Sequence, residues 1–106
     1  MEYYRLDVYV PESHVEPVKD AMFSAGAGRL GKYENCCFQF CGTGQFRPVA
    51  GADPFIGKVG EIEYVQEWKL EMICPENVLR PVIAALKTAH PYETPAFQFW
   101  KVALDL

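Results

Sequence analysis

The sequence predicts an α+β domain with element order βαββαβ, in which four antiparallel strands form one sheet and two helices cover a single face of it. Three observations carry this. A segment near the start of the chain recurs near its end, each copy alternates like a strand before turning helical, and each is followed by a second strand-like run.

The recurrence is direct. Residues 4–25, YRLDVYVPESHVEPVKDAMFSA, align without a gap on residues 68–89, WKLEMICPENVLRPVIAALKTA. Leu6/Leu70, Pro11/Pro75, Glu12/Glu76, Pro17/Pro81, Val18/Val82, Ala21/Ala85 and Ala25/Ala89 are identical, where ordinary composition gives roughly one or two such matches. A shorter echo follows, Phe38-Gln39-Phe40 with Phe97-Gln98-Phe99. Two βαβ units in tandem make the ferredoxin-like arrangement. Right-handed crossovers then place both helices on the same side and leave the other face of the sheet bare.

In the first strand Leu6, Val8 and Val10 alternate with Arg5, Asp7 and Tyr9 until Pro11 stops the run. The first helix carries Val15, Val18, Met22 and Ala25 on one face. Ser13 and Glu16 predict a capping box at its start, and Gly26 and Gly28 end it. A second strand is expected over 35–41. The third, 61–73, sends Ile62, Tyr64, Trp68, Leu70 and Met72 one way and a row of acids with Lys69 the other. At about 3.3 Å per residue it outruns the first strand. Its N-terminal half is therefore expected to overhang, offering a free edge beside Ile62 and Tyr64 to another subunit; a bulge or early turn near Gln66 is the alternative. The second helix repeats the first with Leu79, Val82, Leu86 and Ala89 and stops before Pro91. The fourth strand is expected over 96–103. The uncovered face should hold Arg5, Tyr9, Gln39, Gln98, Trp100 and Val102, a polar surface with scattered aromatics suited to self-association.

With 106 residues the chain is one domain, 1–106. Half its residues are hydrophobic, which excludes disorder. A net charge of −4, with acids gathered in 61–71, disfavours nucleic acid or an anionic membrane as partner. No apolar run reaches the roughly 18 residues of a membrane span, and MEYYRLDVYV has no signal-peptide pattern. Cys36, Cys37, Cys41 and Cys74 form no CxxC, so reduced, mostly buried thiols and a cytoplasmic location are expected.

Residues 42–60 join the two copies, and the second copy has no counterpart to them. Phe46, Pro48, Pro54, Phe55 and Ile56 supply apolar surface, while Gly42, Gly44, Gly51, Gly57 and Gly60 allow tight turns. The glycine spacing fits neither a P-loop nor a dinucleotide fingerprint. An ordered loop that packs on a neighbouring subunit or serves as a contact surface is the expectation.

These residues resemble a known family. Gly42-Thr43-Gly44-x-Phe46-x-Pro48, Gly51-Ala52-x-Pro54-x-x-Gly57 and Gly60-x-x-Glu63 resemble the insert domain of the Nif-three-like proteins, also called GTP cyclohydrolase I type 2 homologues. Ala25-Gly26-Ala27-Gly28, Gly31-x-Tyr33 and Ala89-His90-Pro91-Tyr92-Glu93-x-Pro95-Ala96 fit the same pattern. The resemblance spans essentially the whole chain and implies a PII/CutA-like domain, typically trimeric, whose loop between the second and third strands contacts partners. Full-length members carry a dinuclear metal site in a larger flanking domain. With only His14 and His90, this chain does not reproduce that site, and neither its ligands nor a hydrolase activity is carried over. It looks like a free-standing version of the insert.

His90-Pro91-Tyr92-Glu93 is where a histidine, a phenol and a carboxylate gather. Two readings stand. Either His90 is an acid, base or metal ligand beside Glu93, or it caps the last helical carbonyls while Tyr92 packs. No nucleophile accompanies it. Cys37 and Cys41 share a strand face, Cys36 does not, and nothing in the spacing forces a metal site. The expected function is a non-catalytic, homo-oligomeric regulatory or interaction domain, with a trimer favoured and a protein or small molecule as partner. Contact is expected through Phe46, Pro48, Gly51, Pro54, Phe55 and Gly57 of the loop and His90, Tyr92 and Glu93 of the turn. No catalytic residue, cofactor or resident metal is expected. A CutA-like divalent-metal binder, with His90 and Glu93 as its nearest ligand candidates, is the alternative.

Overall fold

Alternation drives the first strand: β1, Tyr3–Pro11, buries Leu6, Val8 and Val10 completely. The computed structural model describes residues 2–105. Three more strands follow, β2 (Phe38–Phe46), β3 (Glu63–Pro75) and β4 (Phe97–Val102), with helices α1 (Val15–Ala25) and α2 (Leu79–Ala89). The sheet has the order β2-β3-β1-β4 and every neighbouring pair is antiparallel. This is the α+β architecture expected from the doubled βαβ unit.

Both helices lie on one face. Val15, Val18 and Met22 of α1 and Val82 and Leu86 of α2 meet Leu6, Val8 and Val10 of β1 and Leu70, Met72 and Cys74 of β3 in one core. Each helix is entered through a single 3-10 turn, Glu12–His14 or Glu76–Val78, after an extended proline. That turn displaces the expected capping box. His14 is the N-cap of α1 without a side-chain bond to the helix, and the Ser13 hydroxyl engages His14 Nδ1 at 2.8 Å instead. Gly26 ends α1 in the left-handed region, its N–H bonding back to Met22 and Phe23 carbonyls.

Strand ends differ from the sequence expectation. β2 begins later than expected and runs on through Gly42–Phe46, because β3 is long enough to pair with all of it, from Phe38↔Glu71 to Phe46↔Glu63. The loop therefore spans 47–62 rather than 42–60. No bulge interrupts β3 at Gln66. β1 leaves β3 at Pro11↔Glu67, so residues 63–66 and their β2 partners project as a two-stranded arm whose β3 edge continues past β1. Tyr64 is exposed on it, as is Ile62 at the end of the loop just before it.

Register also corrects the bare face. Arg5, Tyr9, Gln98, Trp100 and Val102 share it, but Gln39 pairs with the buried Leu70 and faces the helices, where Lys19 Nζ donates to its Oε1 at 2.7 Å. The Phe-Gln-Phe echo is displaced by one residue in space: Phe97 and Phe99 oppose the buried Val8 and Leu6, whereas Phe38 and Phe40 oppose Glu71 and Lys69 on the bare face. Asp7 sits at the centre of that face and is buried, held by Arg5 Nε at 3.2 Å and Lys69 Nζ at 3.3 Å, with Glu71 bridging the same two cations. Of the four unpaired thiols only Cys74 is buried; burial pushes it up to about 11. Cys36 and Cys37, just ahead of β2, are half-buried, and Cys41 on β2 is exposed.

Candidate functional site

The chain leaves α2 at His90, whose extended backbone ends the helix ahead of Pro91. The His90 ring is buried and spends both nitrogens on the backbone. Nε2–H donates to the Tyr9 carbonyl at 2.7 Å, and Nδ1 accepts the Tyr92 N–H at 3.1 Å. That pairing selects the neutral Nε2–H tautomer. Burial lowers its pKa below the ordinary histidine value, opposed in part by the bond to Tyr9. An imidazole so engaged fastens the turn to the end of β1, and its ring lies against Tyr92 with centroids 4.9 Å apart.

The loop 47–62 folds back over this turn. Its base is closed by Gly60 N–H to the Pro48 carbonyl at 2.8 Å, and Pro48 is buried. Gly51 and Gly57 adopt φ of +94° and +91°, the left-handed turns that bring the loop round. Asp53 N–H donates to Glu93 Oε2 at 3.1 Å. Phe55 stacks edge-on to His14 at 5.5 Å and tilts over Tyr92 at 6.3 Å, while Phe46 reaches Tyr92 from the arm at 6.1 Å. The expected contact loop thus packs on its own subunit, yet Phe55 stays half-exposed.

Between loop, arm and turn lies a cavity of about 270 Å³. Phe46, Pro48, Pro54, Phe55, Tyr92 and Glu93, six of the residues expected to make contact, line it together with Gln45, Ala52, Ile56, Glu67, Thr94 and Ala96. Gly51, Gly57 and His90 do not; the glycines shape the loop and the histidine supports Tyr92 from behind. A shallower depression continues it past Asp53 and Pro91.

Sequence reasoning counted Glu67 only among the acids of the third strand. It sits at the last pairing of β3 with β1, and its carboxylate occupies the space a side chain at position 44 would take, so Gly44 makes room for it. The sequence signal was the glycine: inside a strand it marks a close approach. The Tyr92 hydroxyl oxygen is buried and makes no hydrogen bond of good geometry, although Glu67 stands next to it. Burial, and then that carboxylate, push the phenol well above its usual range. Among the described residues, no three His, Cys, Asp or Glu side chains are placed to hold a metal ion, and no helix is long and apolar enough to cross a membrane.

No family model matches the chain. It is 45% identical over 100 residues to the GTP cyclohydrolase 1 type 2 homolog of Halalkalibacterium halodurans, covering 94% of this chain and 27% of that protein. With the Bacillus subtilis protein of the same name it shares 46% over 98 residues, 92% of this chain and 26% of the relative. The chain thus spans about a quarter of the length of the curated relatives it matches. A crystal structure of a Bacillus cereus protein related to NIF3 superposes with a TM-score of 0.82 at 40% identity, over 95% of this chain and 26% of that one. CutA from Xylella fastidiosa matches over 100% of this chain and 88% of its own, with a TM-score of 0.72 at 19% identity, a likeness of fold alone. Bacillus subtilis GlnK shares the fold more loosely, with a TM-score of 0.59 at 11% identity over 97% of this chain and 87% of its own.

Proposed function

The chain is homologous to one segment of the NIF3-family proteins, and from that premise we propose that it is a non-catalytic, homo-oligomeric domain that meets a ligand or partner through the loop 47–62 and the His90–Glu93 turn. The observation that carries self-association is the bare sheet face. Phe38, Phe40 and Trp100 lie on it at 66%, 45% and 46% exposure around the buried Asp7 cluster. Covering them would remove about 300 Å² of aromatic surface from water per chain, on the order of 7 kcal/mol at about 25 cal/mol per Å². The free β3 edge at 63–66 supports the same reading.

Lack of catalysis is supported by His90, whose two nitrogens are occupied by backbone. Four unpaired thiols accord with work in the cytoplasm. Light scattering behind size exclusion tests the assembly. We expect one species at three times the mass of the chain, and a clean monomer at tens of micromolar would remove the reading.

A further inference from the structure

The cavity between the loop and the turn has a consistent chemistry. Its walls are the rings of Phe46, Phe55 and Tyr92 with prolines and short aliphatic side chains, and its charged groups are Glu67 and Glu93. Asp53 adds a third carboxylate where the depression continues. None of the residues lining either part is Lys or Arg, and neither Glu67 nor Glu93 takes part in an ion pair among the described residues. Unneutralised carboxylates among aromatic faces make a region of negative potential twice over, from the charges and from the ring quadrupoles.

The polar groups beside Gly44 point the same way. The carboxylate of Glu67 is folded over Gly44 and stands beside the buried Tyr92 hydroxyl, whose proton it can draw and whose oxygen accepts no hydrogen bond. Both groups can accept hydrogen bonds, and an ammonium group has three donors and no acceptor. A metal ion suits the place poorly, since three ligating side chains do not converge. An anion would meet only like charge. At about 270 Å³ the cavity falls just under the roughly 300–1,000 Å³ range of drug-sized sites, so its occupant is small.

We propose that this cavity binds a small organic ammonium ion with an apolar body, the ammonium on Glu67 and the Tyr92 hydroxyl and the body against Phe46 and Phe55. The proposal rests on the reading of the loop and turn as a contact surface and gives that surface a ligand class; it does not depend on the oligomeric state.

The test uses the full chain and phenethylammonium as probe, with 2-phenylethanol and phenylacetate as its neutral and anionic counterparts, followed by chemical-shift titration. Phenethylammonium should saturate with a Kd on the order of 1 mM or tighter, the scale open to so small a ligand. The alcohol should bind about tenfold more weakly and the acid not measurably. Glu67→Gln should weaken phenethylammonium about tenfold while leaving the alcohol unchanged. Phe55→Ala, at a half-exposed position that leaves the core intact, should weaken both, and it keeps the test open if Glu67→Gln fails to fold. Equal affinity for alcohol and ammonium, binding indifferent to both substitutions, or no saturation up to about 10 mM each overturns the proposal. The last outcome also covers a site already filled by a neighbouring copy. Light scattering on the same samples separates the two readings. An oligomer that ignores the probe removes the ligand class alone, and a monomer that binds it removes the assembly alone.

Discussion

Replacing His90 by alanine should cost stability, not an activity. The ring satisfies the Tyr9 carbonyl at 2.7 Å and the Tyr92 N–H at 3.1 Å, and the residue is only 6% exposed. Truncation orphans both backbone groups at roughly 1–3 kcal/mol each, reduced where water enters the space left. A loss of about 2–4 kcal/mol follows, or a melting temperature lower by roughly 10–20 °C for a domain of this size. Protein concentration must match in the two scans, since the proposed assembly would shift the midpoint. The acid limb gives a second readout. Burial lowers the folded-state pKa of His90 below its unfolded value. Between those two values the unfolded chain binds more protons, so the contribution of His90 is complete above about pH 6.5 and is lost as pH falls towards the folded pKa. The difference between wild type and His90→Asn, in which other titrating groups cancel, should shrink as pH drops below 6.5. A His90→Ala protein that melts within about 3 °C of wild type, with no change in the acid limb, would refute the structural assignment and return the imidazole to the list of functional groups.

Three further outcomes follow from the packing. Gly28 has φ of +74°, and a Cβ there would approach the Cys36 carbonyl oxygen to 2.7 Å, so Gly28→Ala should cost about 2–4 kcal/mol in urea unfolding. Asp7→Asn leaves Arg5 and Lys69 facing Glu71 alone. Because both cations reach solvent, a loss of about 1–2 kcal/mol is expected, measured by the same unfolding. Phe40→Glu puts a charge on the bare face and should convert the oligomer to monomer in light scattering while far-UV circular dichroism is retained; an unchanged oligomer would place the interface elsewhere.

What could be read in advance followed from periodicity. Leu6, Val8 and Val10, and Val15, Val18 and Met22, announce their buried faces because a half-covered sheet and a one-sided helix each expose a repeating pattern. Strand ends and facing were harder. Gly42 and Gly44 look like loop residues, yet a long partner strand supplied their hydrogen bonds, and pairing overrode propensity. Gln39 was misplaced because a slip of one residue exchanges the two faces of a strand. The matching Phe-Gln-Phe tripeptides encouraged the error, since they are alike in letters but opposite in facing. Loop, arm and turn come together only through the return of residues 47–62, which no local pattern encodes. The aromatic members of the cavity stand out in the sequence by residue type, whereas Glu67 is one acid in a row of similar ones, Glu61, Glu63, Glu67 and Glu71.

The doubled unit also divides the molecule into two kinds of part. Aligned on β1, the β3 segment Glu67–Pro75 is the repeated strand and residues 63–66 are an addition. The core draws on the repeated strands and helices, and only Ala27 of its buried members lies outside them. The cavity is the converse: the arm, the loop 47–62 and the turn 91–96 all fall outside the recurring segments, and Glu67 stands at the junction where the addition begins. A duplicated scaffold already satisfied on one face has no structural need of that apparatus. Half-exposed Phe55, and Glu67 and the Tyr92 hydroxyl beside each other without an ion pair, contribute little to the core. The side chains least accounted for by folding are therefore gathered in one place, which is where recognition by this domain is best sought.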